Sequence, residues 1–134
     1  PVDFTIATYG GMSLCCYEVI NYLYSKYNIN GELIVLSKLT HPNLDSIIDS
    51  IKKTKIFITV EENNINLGFG SELISCLHDI ANFRSLRIGS KNNNIIPSAP
   101  KLENIILPTK SSIINQIINF LKGILWKNIS TQLK

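Results

Sequence analysis

Two adjacent carboxylates, Glu61 and Glu62, close the apolar run Ile56-Phe57-Ile58-Thr59-Val60, and their type and position make them the first candidates for chemistry. A general acid and base must converge on one substrate, whereas successive residues of a strand point to opposite faces. The pair therefore predicts one carboxylate drawn to the amides near Gly68 or across an interface, and the other left in solvent. A second candidate is the Gly10-Gly11 turn after Tyr9. Backbone amides at a turn that opens a helix can receive an anion. This turn lacks the third glycine of a dinucleotide fingerprint and the lysine of a P-loop. Gly10, Gly11, Gly70 and Ser71 stand as the candidate anion-binding turns, for a phosphate or a nucleotide. Cys76 and His78 are two residues apart, so they do not share the helix face that a metal pair requires. His41 precedes Pro42 in a turn. No Gly-x-Ser-x-Gly elbow is present. Residue types alone assign no catalytic, cofactor-binding or metal-binding residue.

The elements that must position these residues follow from periodicity. Phe4 to Thr8 reads as a strand ended by the two glycines. From Ser13 to Tyr27, Leu14, Tyr17, Ile20, Leu23, Tyr24 and Tyr27 recur at helical spacing and predict a helix. Glu32 to Leu36 is a second strand. Asn43 or Asp45 can cap a short helix that turns Leu44, Ile47, Ile48 and Ile51 inward. Ile56 to Val60 is apolar throughout, as a central parallel strand covered on both faces would be. A helix opens at Gly68 to Ser71 and runs to about Phe83, with Leu73, Ile74, Leu77 and Ile80 inside. Leu86 to Ile88 is a short fourth strand, and 89 to 108 reads as an irregular connection. Thr109 or Ser111 opens a last helix carrying Ile113, Ile114, Ile117, Ile118, Leu121 and Ile124. The alternation predicts an α/β three-layer sandwich on a mostly parallel sheet, with ligands outside the carboxyl ends of the strands.

With 134 residues, the chain suits one domain with a sizeable core. Charged residues are only 17%, below the roughly 25% of an average domain. The mean hydropathy of +0.15 excludes a disordered tail. Drift in base composition explains this surface, as does a partner that normally covers part of it. A formal charge of +3 is too weak and too dispersed for a nucleic-acid footprint. Three cysteines without CxxC spacing suit neither a disulfide scaffold nor a zinc site. They predict a reducing cytoplasm, with one of Cys15 and Cys16 buried and the other half-exposed. No run approaches the roughly 18 apolar residues of a membrane span, and no membrane or nucleic-acid partner is expected.

The order and wording of these segments resemble the C-terminal domain of transketolase-like thiamine-diphosphate enzymes. They are most similar to that of the beta subunit of 2-oxo acid dehydrogenase decarboxylating components. The matching residues are Asp3 to Gly10, Ser50-Ile51-Lys52-Lys53-Thr54, Val60-Glu61-Glu62 and Gly68-Phe69-Gly70-Ser71-Glu72. Leu86-Arg87-Ile88, Pro97 to Glu103 and Leu107-Pro108 complete the pattern, from about Asp3 to Ile124. Two departures fall in connections that often meet other domains: Leu36-Ser37-Lys38-Leu39-Thr40 and Ser90-Lys91.

The resemblance implies a five-stranded sheet with one antiparallel edge strand. It also implies a domain over 1–124 followed by a tail over 125–134. In this family thiamine diphosphate and Mg²⁺ are held between two other domains by a Gly-Asp-Gly motif, which this sequence lacks. The implied role is structural: dimer contacts and the docking of other subunits, including the acyltransferase core. It further implies an excised domain or separately encoded half of a larger enzyme, homo- or hetero-oligomeric, that binds no cofactor by itself. Glu61, Glu62, Phe69 and Glu72 are then the candidate interface. Phe69, between two glycines, is expected in a loop and turned toward a partner. The alternative is a free-standing module that binds a phosphate or nucleotide.

Overall fold

The computed structural model describes residues 1–90, 101 and 105–132, with side chains up to residue 124. Along the chain run β1 (Phe4–Thr8), α1 (Met12–Tyr27), β2 (Gly31–Val35), α2 (Asp45–Thr54), β3 (Ile56–Asn64), α3 (Phe69–His78), β4 (Arg84–Ser90) and α4 (Lys110–Gln132). The sheet order is β2-β1-β3-β4, and every pairing is parallel. β1 is buried along its whole length, which explains its unbroken apolar and threonine composition. Ile56 to Val60 lies inside the sheet between β1 and β4, as its composition predicts.

Alternation along the strands builds two cores. Phe4, Ile6, Ile58, Val60 and Ile88 face α1 and α4. Ala7 and Phe57 face α2 and α3. α4 is the clearest case of sequence dictating packing, since Ile113, Ile114, Ile117 and Leu121 are all buried. Its start is fixed by a reciprocal pair. The Ser112 amide donates to Thr109 Oγ1 at 3.3 Å, and the Thr109 amide to Ser112 Oγ at 2.9 Å. This resembles a capping box with serine in the glutamate position. At α2, Asn43 Oδ1 accepts the Asp45 amide at 3.0 Å.

Several expectations are corrected. The described sheet has four parallel strands, not five, and no antiparallel edge. Gly89 and Ser90 belong to β4 rather than to a connection. Of the rest of that expected connection, residues 91–100 and 102–104, and with them most of Pro97 to Glu103, lie outside the described residues. The last helix, α4, runs from Lys110 to Gln132.

The buried face of α1 coincides only in part with its apolar spacing: Leu23 is buried and Ile20 packs against the core. Met12, Cys16, Val19 and Leu23 are buried, while Leu14, Tyr17, Tyr24 and Tyr27 are exposed. This helix is apolar nearly all round, so periodicity offers two stripes. Compact Cys16 and Val19 let the helix approach the sheet, and tyrosines keep their hydroxyls in water. α3 stops at His78, short of Phe83, and leaves Ile80 53% exposed. Phe83 fills that side of the core instead, edge-on to Phe57 at 5.8 Å.

β2 begins one residue early because Gly31 lies under the Phe4 ring. A Cβ there would sit 2.5 Å from Phe4 Cζ.

Beneath α2 lies a buried hydroxyl cluster. Thr5 Oγ1 lies 2.7 Å from Ser50 Oγ and 2.9 Å from Thr54 Oγ1, and Ser50 donates to a Glu32 carboxylate oxygen. Ser50 and Thr54 reach one partner because residues four apart share a helix face. Ser50→Ala should cost about 1–2 kcal/mol in denaturant unfolding, the price of unpairing buried polar groups. Ser50→Thr, which keeps the hydroxyl, should recover part of it.

Of the three free cysteines, Cys16 is buried, Cys15 partly so, and Cys76 exposed. Burial pushes the Cys16 thiol up to about 12. An unfolded thiol titrates near 8.5. Above that pH the unfolded chain sheds a proton that the folded chain keeps, so stability falls as pH rises. Between pH 8.5 and 10 this one thiol should remove about 2 kcal/mol. Urea melts over that range should show the slope, and Cys16→Ala should flatten it.

Candidate functional site

The carboxyl ends of β1 and β3 meet the first turns of α1 and α3, and the predicted residues gather there. β3 runs four residues further than expected, to Asn64, with a register irregularity between Val60 and Asn64. This extension carries Glu61, Glu62 and Asn63 past the core.

Glu61 is only 3% exposed. Its Oε1 accepts the Gly70 amide at 3.0 Å, and its Oε2 accepts the Tyr9 hydroxyl at 3.2 Å. Asn63 Nδ2 donates to the same Tyr9 oxygen at 3.1 Å. The carboxylate thus caps α3 from a neighbouring strand, where the positive end of the helix dipole favours an anion. Ser71 lies inside the first turn of α3, whose N-cap residue is Gly68. The Ser71 hydroxyl receives Arg87 of β4, which also donates to the Ile65 carbonyl at 3.0 Å. Burial, followed by the charge of Glu61, raises the Tyr9 phenol above its ordinary range.

Alternation along β3 sends Glu62 to the opposite face of the sheet. Its Oε1 lies 2.8 Å from where a Cβ on Gly11 would stand, beside the first turn of α1. Gly10, just before, holds φ +58°, a left-handed conformation that suits glycine. The two glutamates therefore attend two different helix starts and do not converge.

Phe69 is the first residue of α3 rather than part of a loop. Its half-buried ring packs on the α2/α3 core and stands edge-on to Tyr9 at 5.6 Å. Glu72 is exposed in the same first turn. A groove of about 450 Å³ separates α3 from the loop before α2, lined by Leu39, Pro42, Leu44, Phe69, Glu72 and Cys76. His41 is on that groove, whereas His78 stacks on Phe83 at 4.2 Å.

Sequence reasoning missed Tyr9, Asn63 and Arg87 as working parts of this site. Tyr9 and Arg87 fall within segments that carried the resemblance, but nothing in their local spacing shows what they touch. Among the described residues, no three His, Cys, Asp or Glu converge as metal ligands. The buried Glu61 carboxylate thus ties the start of α3 to the turn after β1, through the Gly70 amide and the Tyr9 hydroxyl.

Comparison with known proteins places this geometry. The family model of the transketolase C-terminal domain matches residues 2–113. The pyruvate dehydrogenase E1 component subunit beta of Rickettsia bellii is 31% identical over 117 residues, covering 84% of this chain and 35% of that protein. The mitochondrial counterpart from Saccharomyces cerevisiae is 26% identical over 119 residues, covering 86% and 32%. The chain thus spans about a third of the length of these relatives. A solved structure described as a split gene transketolase, inactive beta4 tetramer, superimposes with a TM-score of 0.78. It covers 87% of this chain and 38% of that one, at 18% identity, a likeness of fold alone. With the family match covering most of the sequence, the chain belongs to the transketolase C-terminal domain family.

Proposed function

We propose that this chain is the non-catalytic structural and docking domain of a thiamine-diphosphate-dependent 2-oxo acid dehydrogenase or transketolase-like enzyme. One observation carries the reading. At the strand ends, where an α/β sheet usually offers reactive groups, the buried carboxylate is bonded to the chain's own α3 amide and Tyr9 hydroxyl. What remains outward is Glu62, Glu72 and part of the Phe69 ring, and these form the surface offered to other domains. Partners of the parent assembly are its remaining domains or subunits and the acyltransferase core, in a homo- or hetero-oligomer. The donor set does not fit thiamine diphosphate with Mg²⁺: the sequence has no Gly-Asp-Gly, and no ligand cluster exists among the described residues. No chemical step is therefore assigned to the chain. The free cysteines suit a reducing cytoplasm. No helix among the described residues is long and apolar enough to cross a membrane.

The rival reading places a phosphate or nucleotide at Gly10, Gly11, Gly70 and Ser71. The Gly70 amide already serves Glu61, and Glu62 occupies the approach to Gly11. Both carboxylates would repel an anion.

The test is co-purification with a chain supplying the other two-thirds of the relatives' length. Glu62→Lys with Glu72→Lys should weaken assembly about tenfold or more, since like-charge contacts across an interface cost several kcal/mol. Both residues are exposed, so the melting temperature of the chain should fall only slightly, through the loss of two carboxylates near helix starts. Unchanged assembly defeats the interface reading. Calorimetry should show no heat with thiamine diphosphate and Mg²⁺, nor with nucleotides; binding of a nucleotide at micromolar affinity would favour the rival.

A further inference from the structure

Thr59 is 3% exposed, and its Oγ1 is the buried side-chain polar atom without a hydrogen-bond partner among the described residues. A hydroxyl removed from water and left unpaired costs about 1–3 kcal/mol, so its surroundings should reveal what satisfies it. Thr59 alternates with Glu61 on the face of β3 that packs against α3, and both approach Gly70. The point where a Gly70 Cβ would stand is 2.5 Å from Thr59 Oγ1 and 2.8 Å from Glu61 Oε1. The two oxygens are therefore close enough for one small molecule to bridge them. Thr59, Glu61 and Gly70 also line a single cavity of about 10 Å³, together with Tyr9, Phe69 and Leu36. That volume is at the lower limit for one water and far below that of any larger ligand.

We propose that this cavity is an integral water site. The Thr59 hydroxyl donates to the water oxygen, and the water donates one hydrogen to Glu61 Oε1. Glu61 has no basic partner among the described residues. Gly70 N–H and Tyr9 O–H supply two donors to its carboxylate, and the water supplies a third. Burial of an anion without a cation is tolerable when hydrogen-bond donors surround it. The site thus explains two features together: the unpaired threonine and a buried carboxylate without a basic partner among the described residues. It stands on contacts within this chain and does not depend on the docking role.

A crystal structure of the chain at a resolution that orders single waters tests the site. One isolated peak is expected between Thr59 Oγ1 and Glu61, within about 3.2 Å of each. In Thr59→Val, which keeps the shape and removes the hydroxyl, the peak should vanish with the Glu61–Gly70 bond retained. The proposal is overturned if the wild-type density shows Thr59 bonded directly to Glu61 or to a carbonyl with nothing between. It is equally overturned if the peak survives in Thr59→Val. Should the valine variant not fold, the wild-type density decides alone.

Discussion

Alanine at Gly70 should destabilise the domain by about 3 kcal/mol, the upper end of what overpacking a tight site costs. A single methyl is added, but it would enter 2.5 Å from Thr59 Oγ1, 2.8 Å from Glu61 Oε1 and 3.0 Å from Thr59 Cβ. Neither neighbour can swing away, since both are buried in the sheet. The strain then falls on the start of α3 and on the carboxylate that caps it. Gly123→Ala is the matched control. Gly123 lies on an exposed face of α4 with nothing within 4 Å of its added Cβ. There alanine should stabilise by about 0.5–1 kcal/mol through helix propensity. Urea unfolding of both variants gives the comparison, and equal effects at the two positions would remove the argument for a tight site.

Glu61 carries the second large effect. Glu61→Ala strands the Gly70 amide and the Tyr9 hydroxyl and should cost about 3 kcal/mol. Glu61→Gln keeps an acceptor for Gly70 and should cost about 1 kcal/mol. The two variants also separate charge from shape at Tyr9. Burial and the negative charge of Glu61 both raise the phenol, and glutamine removes only the charge. Spectroscopic titration of Tyr9 in Glu61→Gln should therefore show it shifted down, toward but not reaching the ordinary value near 10. A phenol that does not move would mean that Glu61 exerts no charge effect there.

Much of the architecture was legible because it rests on local periodicity. β1, α2 and α4 lie where their apolar spacing puts them, since each has one clear buried face or is covered on both. α1 was legible as a helix but its buried face was not, because a helix with leucine, tyrosine, cysteine and valine on all sides does not declare which stripe meets the sheet. The start of α3 was recognisable from Gly68 and Gly70, and a carboxylate drawn to the amides near Gly68 was expected, though not which of Glu61 and Glu62 it would be. Sequence rules look for a cap in the helix's own first residues, whereas here it arrives from Glu61, nine positions earlier on another element. The Ser50 to Thr54 segment was recognisable only by its wording. The structure supplies the physical content, because those two hydroxyls are the ones that meet Thr5. Tertiary partners of this kind carry no local signal.

The sheet order has a consequence for the nascent chain. β1 is made first, yet one of its two neighbours is β3, and Ala7 must wait for Thr59. At roughly 5–20 residues per second, synthesis leaves an interval of several seconds before that neighbour exists. During it the apolar strand Phe4–Thr8 has an open edge that any other extended segment could join. Parallel pairing over such a distance is also slow once the whole chain is available, because a long loop must close before any contact rewards it. The order that buries β1 so completely in the finished domain thus makes it the most vulnerable strand during synthesis. Protection of that one segment, by a chaperone or by preceding chain, should govern the yield of folded protein.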